Sequence, residues 1–246
     1  MELEGKVALV TGGSRGMGEA MIHAFAAAGA DVVIASRKLE NCMTLAEEIR
    51  NQYGHKALPV ACNVSSWEQC DDLIDSAYSE FGKVDVLVNN AGLSPVYPSL
   101  DQVSEALFDK VIGVNLKGPF RLASVIGARM AKGDGGSIIN ISSIEASRPD
   151  PNALPYAAAK GGLNVMTEGL AKAFGPKVRV NAIQCGPFLT DIAKGWTEGI
   201  QGEFEALTPL GRCGQAEEIV GAAVYFATSA SSFATGAVLR LDGGMR

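Results

Sequence analysis

Short apolar runs rich in β-branched residues alternate with longer amphipathic stretches along the whole chain. Residues 7–10, 31–35, 57–62, 84–89, 137–142, 178–184 and 237–241 read as strands. Residues 17–28, 39–53, 67–81, 104–130, 156–174 and 216–227 read as helices, with apolar positions recurring every three to four residues. The strand runs are apolar almost throughout, as a parallel sheet covered on both faces requires. Seven strands joined by helical crossovers predict an α/β fold with one doubly wound parallel sheet and helices on both faces. No linker, repeat or low-complexity segment interrupts this order, so residues 1–246 are expected to form a single domain. One stretch breaks it: residues 186–214, rich in Gly, Glu and Pro. That stretch follows the carboxyl end of a strand, where a substrate lid would lie; a plain surface insertion is the other reading.

Composition narrows the classes of function. Net charge is −6 with both signs interspersed and no long basic run, which argues against a nucleic-acid partner. The amino terminus runs straight into a strand without a signal-peptide pattern, and no apolar run reaches the roughly 18 residues of a membrane span. The five cysteines are scattered and the two histidines, His23 and His55, lie apart from them. A disulfide framework, a zinc site and a His-based triad are therefore not expected. A cytoplasmic enzyme with no metal and no membrane association is the expectation.

The candidate chemistry begins at the first strand-to-helix turn, Thr11-Gly12-Gly13-Ser14-Arg15-Gly16-Met17-Gly18. Glycines there permit a sharp turn and let backbone amides approach a pyrophosphate at a helix amino terminus. The spacing, TGxxxGxG, differs from the common GxGxxG fingerprint. At the tip of the second strand an acid would bind the ribose 2′-hydroxyl of NAD, whereas an Arg accommodates a 2′-phosphate. The sequence there is Ser36-Arg37-Lys38, so NADP(H) is the expected cofactor, with Arg15 able to approach the same phosphate. Further along, Tyr156 and Lys160 stand four residues apart and share one helix face. A neighbouring ammonium favours a phenolate, so this pair suits acid–base work on a substrate oxygen.

Taken in order, these motifs resemble the short-chain dehydrogenase/reductase family almost from end to end. The glycine loop is followed by Asn89-Asn90-Ala91-Gly92, Asn115, Ser143, the Tyr156-xxx-Lys160 pair, Thr235-Gly236 and Asp242-Gly243-Gly244. The resemblance implies a Rossmann fold and an oxidoreductase interconverting a carbonyl and an alcohol. It implies that Tyr156 is the general acid/base and that Lys160 lowers its pKa and holds the nicotinamide ribose. Ser143 would polarise the substrate oxygen, and Asn115 would hold a water of a proton relay. It places Asn90, Ala91, Gly92, Pro187 and Thr190 along the cofactor, with Thr190 at the carboxamide. Members commonly form homotetramers, and Ala157, Ala158, Ala159, Gly161 and Gly162 give the Tyr–Lys helix a small-residue surface suited to that.

Two positions depart from the family pattern. Asn63-Val64 stands where Asp-Val is usual; the Asn carbonyl is expected to keep the adenine contact with less charge assistance. Cys185-Gly186-Pro187 replaces the usual Pro-Gly, and nothing in the sequence activates the thiol. Ser94, Pro95, Glu145, Arg148, Leu154, Phe188 and Trp196 are candidates for the substrate side by position. Phe188 and Trp196 either cover an apolar substrate or anchor packing, and Arg148 meets an anionic substrate or solvent. Reduction of a 3-ketoacyl group on an acyl carrier protein is one option; Lys172 and Lys177 favour it, while Asp134 and the acidic balance oppose it. A chain of this length lacks the added domain of extended-type epimerases, and the enoyl-reductase branch has a wider Tyr-to-Lys spacing. A non-catalytic dinucleotide sensor on the same fold is the remaining rival.

Overall fold

The computed structural model describes residues 2–190, 193 and 198–245. Its main sheet contains β1 (Val7–Thr11), β2 (Asp31–Ser36), β3 (Ala57–Ala61), β4 (Val86–Asn89), β5 (Gly136–Ser143), β6 (Val178–Cys185) and, at one edge, β9 (Val238–Leu241). The spatial order is β3-β2-β1-β4-β5-β6-β9, and every pairing is parallel. The winding direction reverses between β1 and β4, which opens a crevice beyond their carboxyl ends. All the chemistry described below lies at that end of the sheet.

The central strands feed both faces, which explains their unbroken apolar runs. On one face Ala8, Val10, Val32 and Ile34 pack against α1 (Gly16–Ala27), α2 (Leu39–Tyr53) and α8 (Val220–Ala227), through Ile22, Phe25, Leu45, Ile49 and Phe226. On the other, Val7, Leu9 and Val33 meet α3 (Trp67–Phe81), α5 (Gly118–Lys132) and α6 (Leu154–Phe174), through Leu73, Ile74, Leu122, Ile126 and Leu170. Burying one such side chain contributes about 1.5–3 kcal/mol, so two cores of this size hold the sheet between its helical layers. Local signals set the ends: the Ser66 hydroxyl accepts from the Gln69 amide and starts α3.

Two expectations need correction. The stretch 104–130 is not one helix. It divides into α4 (Glu105–Ile112), a π-helical turn over Gly113–Lys117, and α5. The Gly118 amide bonds the Gly113 carbonyl across that turn. The interruption has a cause: Asn115 turns its amide onto Leu93 O and Val111 O, while Gly118 passes so close to Val64 that a Cβ would overlap its carbonyl oxygen. Second, the stretch 186–214 is not simply irregular. It contains β7 (Phe188–Leu189), paired in parallel with β8 (Gly214–Gln215), and α7 (Glu198–Leu207) between them. Among the described residues, no helix is long and apolar enough to cross a membrane, and no group of three or more His, Cys, Asp or Glu side chains could hold a metal.

Candidate active site and nucleotide cleft

A cavity of about 530 Å³ fills the crevice between β1 and β4. The glycine loop forms its floor. Gly12 is held at φ +62°, and a Cβ on it would press within 3.0 Å of Asn90 and Ala91. A Cβ on Gly18 would overlap the Gly12 carbonyl oxygen, so α1 can start this close to the loop only with glycine there. Asn90 staples the loop to the end of β4: its Nδ2 donates to Thr11 O at 2.9 Å and Gly12 O at 3.1 Å. The Thr11 hydroxyl accepts from the Asn90 and Ala91 amides at 3.1 and 3.2 Å. Ser14 Oγ donates to Ser36 Oγ at 2.9 Å and so ties the loop to the tip of β2.

Ser14, Arg15, Gly16, Met17, Ser36, Arg37, Lys38, Asn63, Val64, Ala91, Gly92 and Thr190 all line this cavity together with Gly12, Gly18 and Asn90. Pro187 does not; it is buried at the turn between β6 and β7, where its carbonyl accepts from the Gly214 amide. Sequence reasoning missed Lys110 and Val114 on the wall, because only the packing of α4 and of the π-helical turn after it shows which side overlooks the crevice. The described lining therefore carries four cationic side chains, Arg15, Arg37, Lys38 and Lys110, and no carboxylate. Such a lining suits a polyanion.

Asn63 is placed otherwise than expected. Its Oδ1 accepts from Ser65 N at 3.2 Å and Ser65 Oγ at 2.9 Å, which uses both carbonyl lone pairs in a local turn. The amide nitrogen, a donor, is the polar atom left for the cavity. An acceptor contact to a base's amino group is thus not what this side chain offers.

Four side chains converge beside Gly92, at one edge of the cavity, although none of them, the cofactor candidates Tyr156 and Lys160 included, is part of its lining. Lys160 is buried (3% exposed), and its Nζ donates to the Ile141 carbonyl at 2.6 Å. It also lies over the Tyr156 ring, 5.6 Å from the centroid. A Cβ placed on Gly92 would stand 3.4 Å from Asn115 Oδ1 and 4.0 Å from Lys160 Nζ, so this glycine keeps the crevice open to both. Ser143 ends β5; its Oγ accepts from the Glu145 amide at 3.2 Å and hydrogen-bonds the Tyr156 phenol. With the Glu145 N–H already on one lone pair of that oxygen, the hydroxyl is left to face the Tyr156 phenol.

Electrostatics at this end differ from the simple expectation. Burial pushes the Tyr156 phenol up to about 12, against a downward pull from Ser143. Burial also lowers Lys160 to about 8. The ammonium sits over the ring and spends a bond on Ile141 O, and desolvation sets the phenol's shift. Near neutral pH the phenol is a proton donor, not a phenolate. Cys185 lies close enough to influence both groups, yet its own thiol is pushed up to about 12 by burial and is poorly suited to act as a nucleophile.

The substrate-side candidates separate. Glu145 is half-buried, raised by that burial, and its Oε2 accepts from Asp150 N at 2.7 Å; its charge reaches the Tyr156 phenol. Pro95 joins Tyr97, Leu107, Val111, Ala153 and Pro155 in a small apolar recess beside Tyr156. The Tyr97 hydroxyl donates to Pro151 O and accepts from Leu154 N, fixing the start of α6, a role no sequence motif signalled. Ser94 is partly exposed and Leu154 is exposed. Phe188 is a packing anchor: it is buried in the core, with its ring against Gly214. Arg148 is engaged with protein, donating to Met245 O at 2.6 Å. Trp196 lies outside the described residues.

Comparison with known proteins identifies the family. Residues 12–246 match a family model described as enoyl-(acyl carrier protein) reductase. The chain is 36% identical to a 3-oxoacyl-[acyl-carrier-protein] reductase of Thermotoga maritima over 246 residues, covering 100% of this chain and 99% of the relative. It is 35% identical to a D-threitol dehydrogenase of Mycolicibacterium smegmatis, covering 98% and 93%. Among solved structures, a blue fluorescent protein from a metagenomic library, in complex with NADPH, superposes with a TM-score of 0.92 at 34% identity, over 99% of each chain. With a glycine-lined crevice at the sheet's switch point and relatives matched over nearly their whole length, the chain belongs to the short-chain dehydrogenase/reductase family of oxidoreductases.

Proposed function

We propose that this protein is an NADP(H)-dependent reductase of ketones or aldehydes. One observation carries the reading: a protonated Tyr156 phenol and the Ser143 hydroxyl beside it stand near the Gly92 edge of a cavity whose described lining has four cations and no carboxylate. The glycine loop would take the pyrophosphate and Arg37, with Arg15 and Lys38 near, a 2′-phosphate. A nicotinamide held there would supply the hydride. Ser143 donates a hydrogen bond to the substrate oxygen, and Tyr156 transfers its phenolic proton to that oxygen as negative charge develops on it. Lys160, in contact with the ring and with Ile141 O, holds the phenol in place and supplies positive charge for the phenolate left behind. Asn115, anchored to Leu93 from both its amide atoms, keeps the loop of Gly92 and Leu93 at its distance from Lys160.

A narrower form, reduction of 3-ketoacyl groups on an acyl carrier protein, gains support from the Thermotoga relative. A polyol substrate gains it from the threitol dehydrogenase. The segment 186–214, through α7, is the part of the chain suited to closing over either substrate. Assembly into a homotetramer belongs to the same reading, with the exposed Val165 on α6 (74%), Phe108 on α4 and Phe120 on α5 as apolar contact surface.

The test is single-turnover hydride transfer with NADPH and NADH across a panel of carbonyls, on the wild type and on Arg37→Ala. One charge-assisted bond to phosphate is worth about 1.5–3 kcal/mol, so the variant should raise the NADPH Michaelis constant by about tenfold or more. The constant for NADH should change little. Equal change in both rejects Arg37 as the phosphate ligand, and absence of transfer with every carbonyl favours a sensor over an enzyme.

A further inference from the structure

Gln184 has no part in the chemistry above, yet it is buried (4% exposed) one strand away from the catalytic turn. It sits on β6 opposite Ser142, with Ser143 and Cys185 as the next register pair. Its Nε2 spends both protons on that turn, donating to Ser143 O at 3.1 Å and to Ser147 Oγ at 2.8 Å. The Ser147 hydroxyl donates in turn to Ile144 O at 3.2 Å, which leaves its lone pairs free to receive the Gln184 bond. The Ser147 and Arg148 amides close on the same Ile144 carbonyl at 3.0 and 2.9 Å. One side chain therefore grips both ends of a tight turn whose first residue is Ser143.

We propose that Gln184 is a positioning residue for Ser143, fixing the direction in which its hydroxyl meets the substrate oxygen. The inference rests on the role given to Ser143 above. The Ser143 carbonyl stands at the end of β5, and without Gln184 it loses the bond that orients it. A displacement of about 1 Å at a reacting group can cost on the order of a hundredfold in rate, so a loosened turn is felt in turnover before it is felt in cofactor binding.

Gln184→Met keeps the length and volume of the side chain and removes both donors. We expect kcat to fall about tenfold, with the NADPH dissociation constant within about twofold of wild type. The decisive measurement is the double variant. If Gln184 acts through Ser143, adding Gln184→Met to Ser143→Ala should lower kcat by less than about twofold further, because the group it positions is gone. Losses that multiply would show a general structural role and overturn the proposal, as would unchanged kcat in the single variant. Should Gln184→Met fail to fold, Ser147→Ala removes one of the two accepting groups and leaves Gln184 in place. It should lower kcat about threefold, with the same lack of effect on the Ser143→Ala background. Full turnover in Ser143→Ala alone defeats the assignment of Ser143 and this inference with it, whereas a damaged Ser143→Ala with a multiplicative double defeats only the inference.

Discussion

Tyr156→Phe should bind NADPH as the wild type does and lose roughly 10²–10⁴-fold in kcat, the range that a positioned general acid supplies. In barrier terms that is about 3–5 kcal/mol. The substitution removes one oxygen and leaves the ring that lies under Lys160, so the ammonium and its bond to Ile141 O stay in place. Cofactor titration by nicotinamide fluorescence and steady-state turnover on any accepted carbonyl are sufficient. More than about a tenth of wild-type turnover in the variant would mean that the proton comes from elsewhere, since a general acid is worth at least about a hundredfold.

Lys160→Met should abolish most turnover and reveal what burying the ammonium costs. Lys160 titrates near 8 in the folded protein against an ordinary 10.5. Between those values the unfolded chain binds a proton that the folded chain has released, so wild-type stability rises with pH through that window. The gain amounts to roughly 3 kcal/mol at most. Below pH 8 the full penalty is present. The methionine variant carries no such charge and should lack this rise. It loses the bond to Ile141 O at every pH, so the informative quantity is the change in the stability difference, not its sign. Urea denaturation of both proteins at pH 7 and pH 10 measures it, and a difference that does not move with pH would contradict a buried, destabilised ammonium. Stability given up for a charged group in the site is common where function sets the residue.

Strand apolarity made the sheet legible, because residues such as Val10 and Ile34 must be buried whichever face they meet. The glycine loop was legible for the same kind of reason, each glycine answering a close approach that any side chain would block. What escaped notice depends on contacts between distant segments. The break at Gly113–Lys117 is announced only by a pair of glycines and Pro119, and its cause, Asn115 bonding to Leu93, is tertiary. Lys110 reaches the crevice because α4 turns that way, and Gln184 reaches the catalytic turn because β5 and β6 are neighbours in register. The Tyr156–Lys160 spacing implies a lowered phenol, whereas its depth, which a sequence does not show, raises it. Asn63 was given an acceptor role for a similar reason: its engagement by Ser65 is a local turn that composition does not announce.

The candidate functional side chains stand at the carboxyl ends of the strands, while at the opposite pole the buried Asp85 ties together Lys6, Lys83 and the Val7 amide. Stability and chemistry are thereby assigned to different ends of the same elements. Loops at the catalytic pole can be exchanged, lengthened or retuned without disturbing the two apolar layers that hold the strands. A scaffold divided in this way gives selection room to change the substrate while keeping the oxidoreductase chemistry, which makes the chain a promising starting point for laboratory evolution toward new substrates.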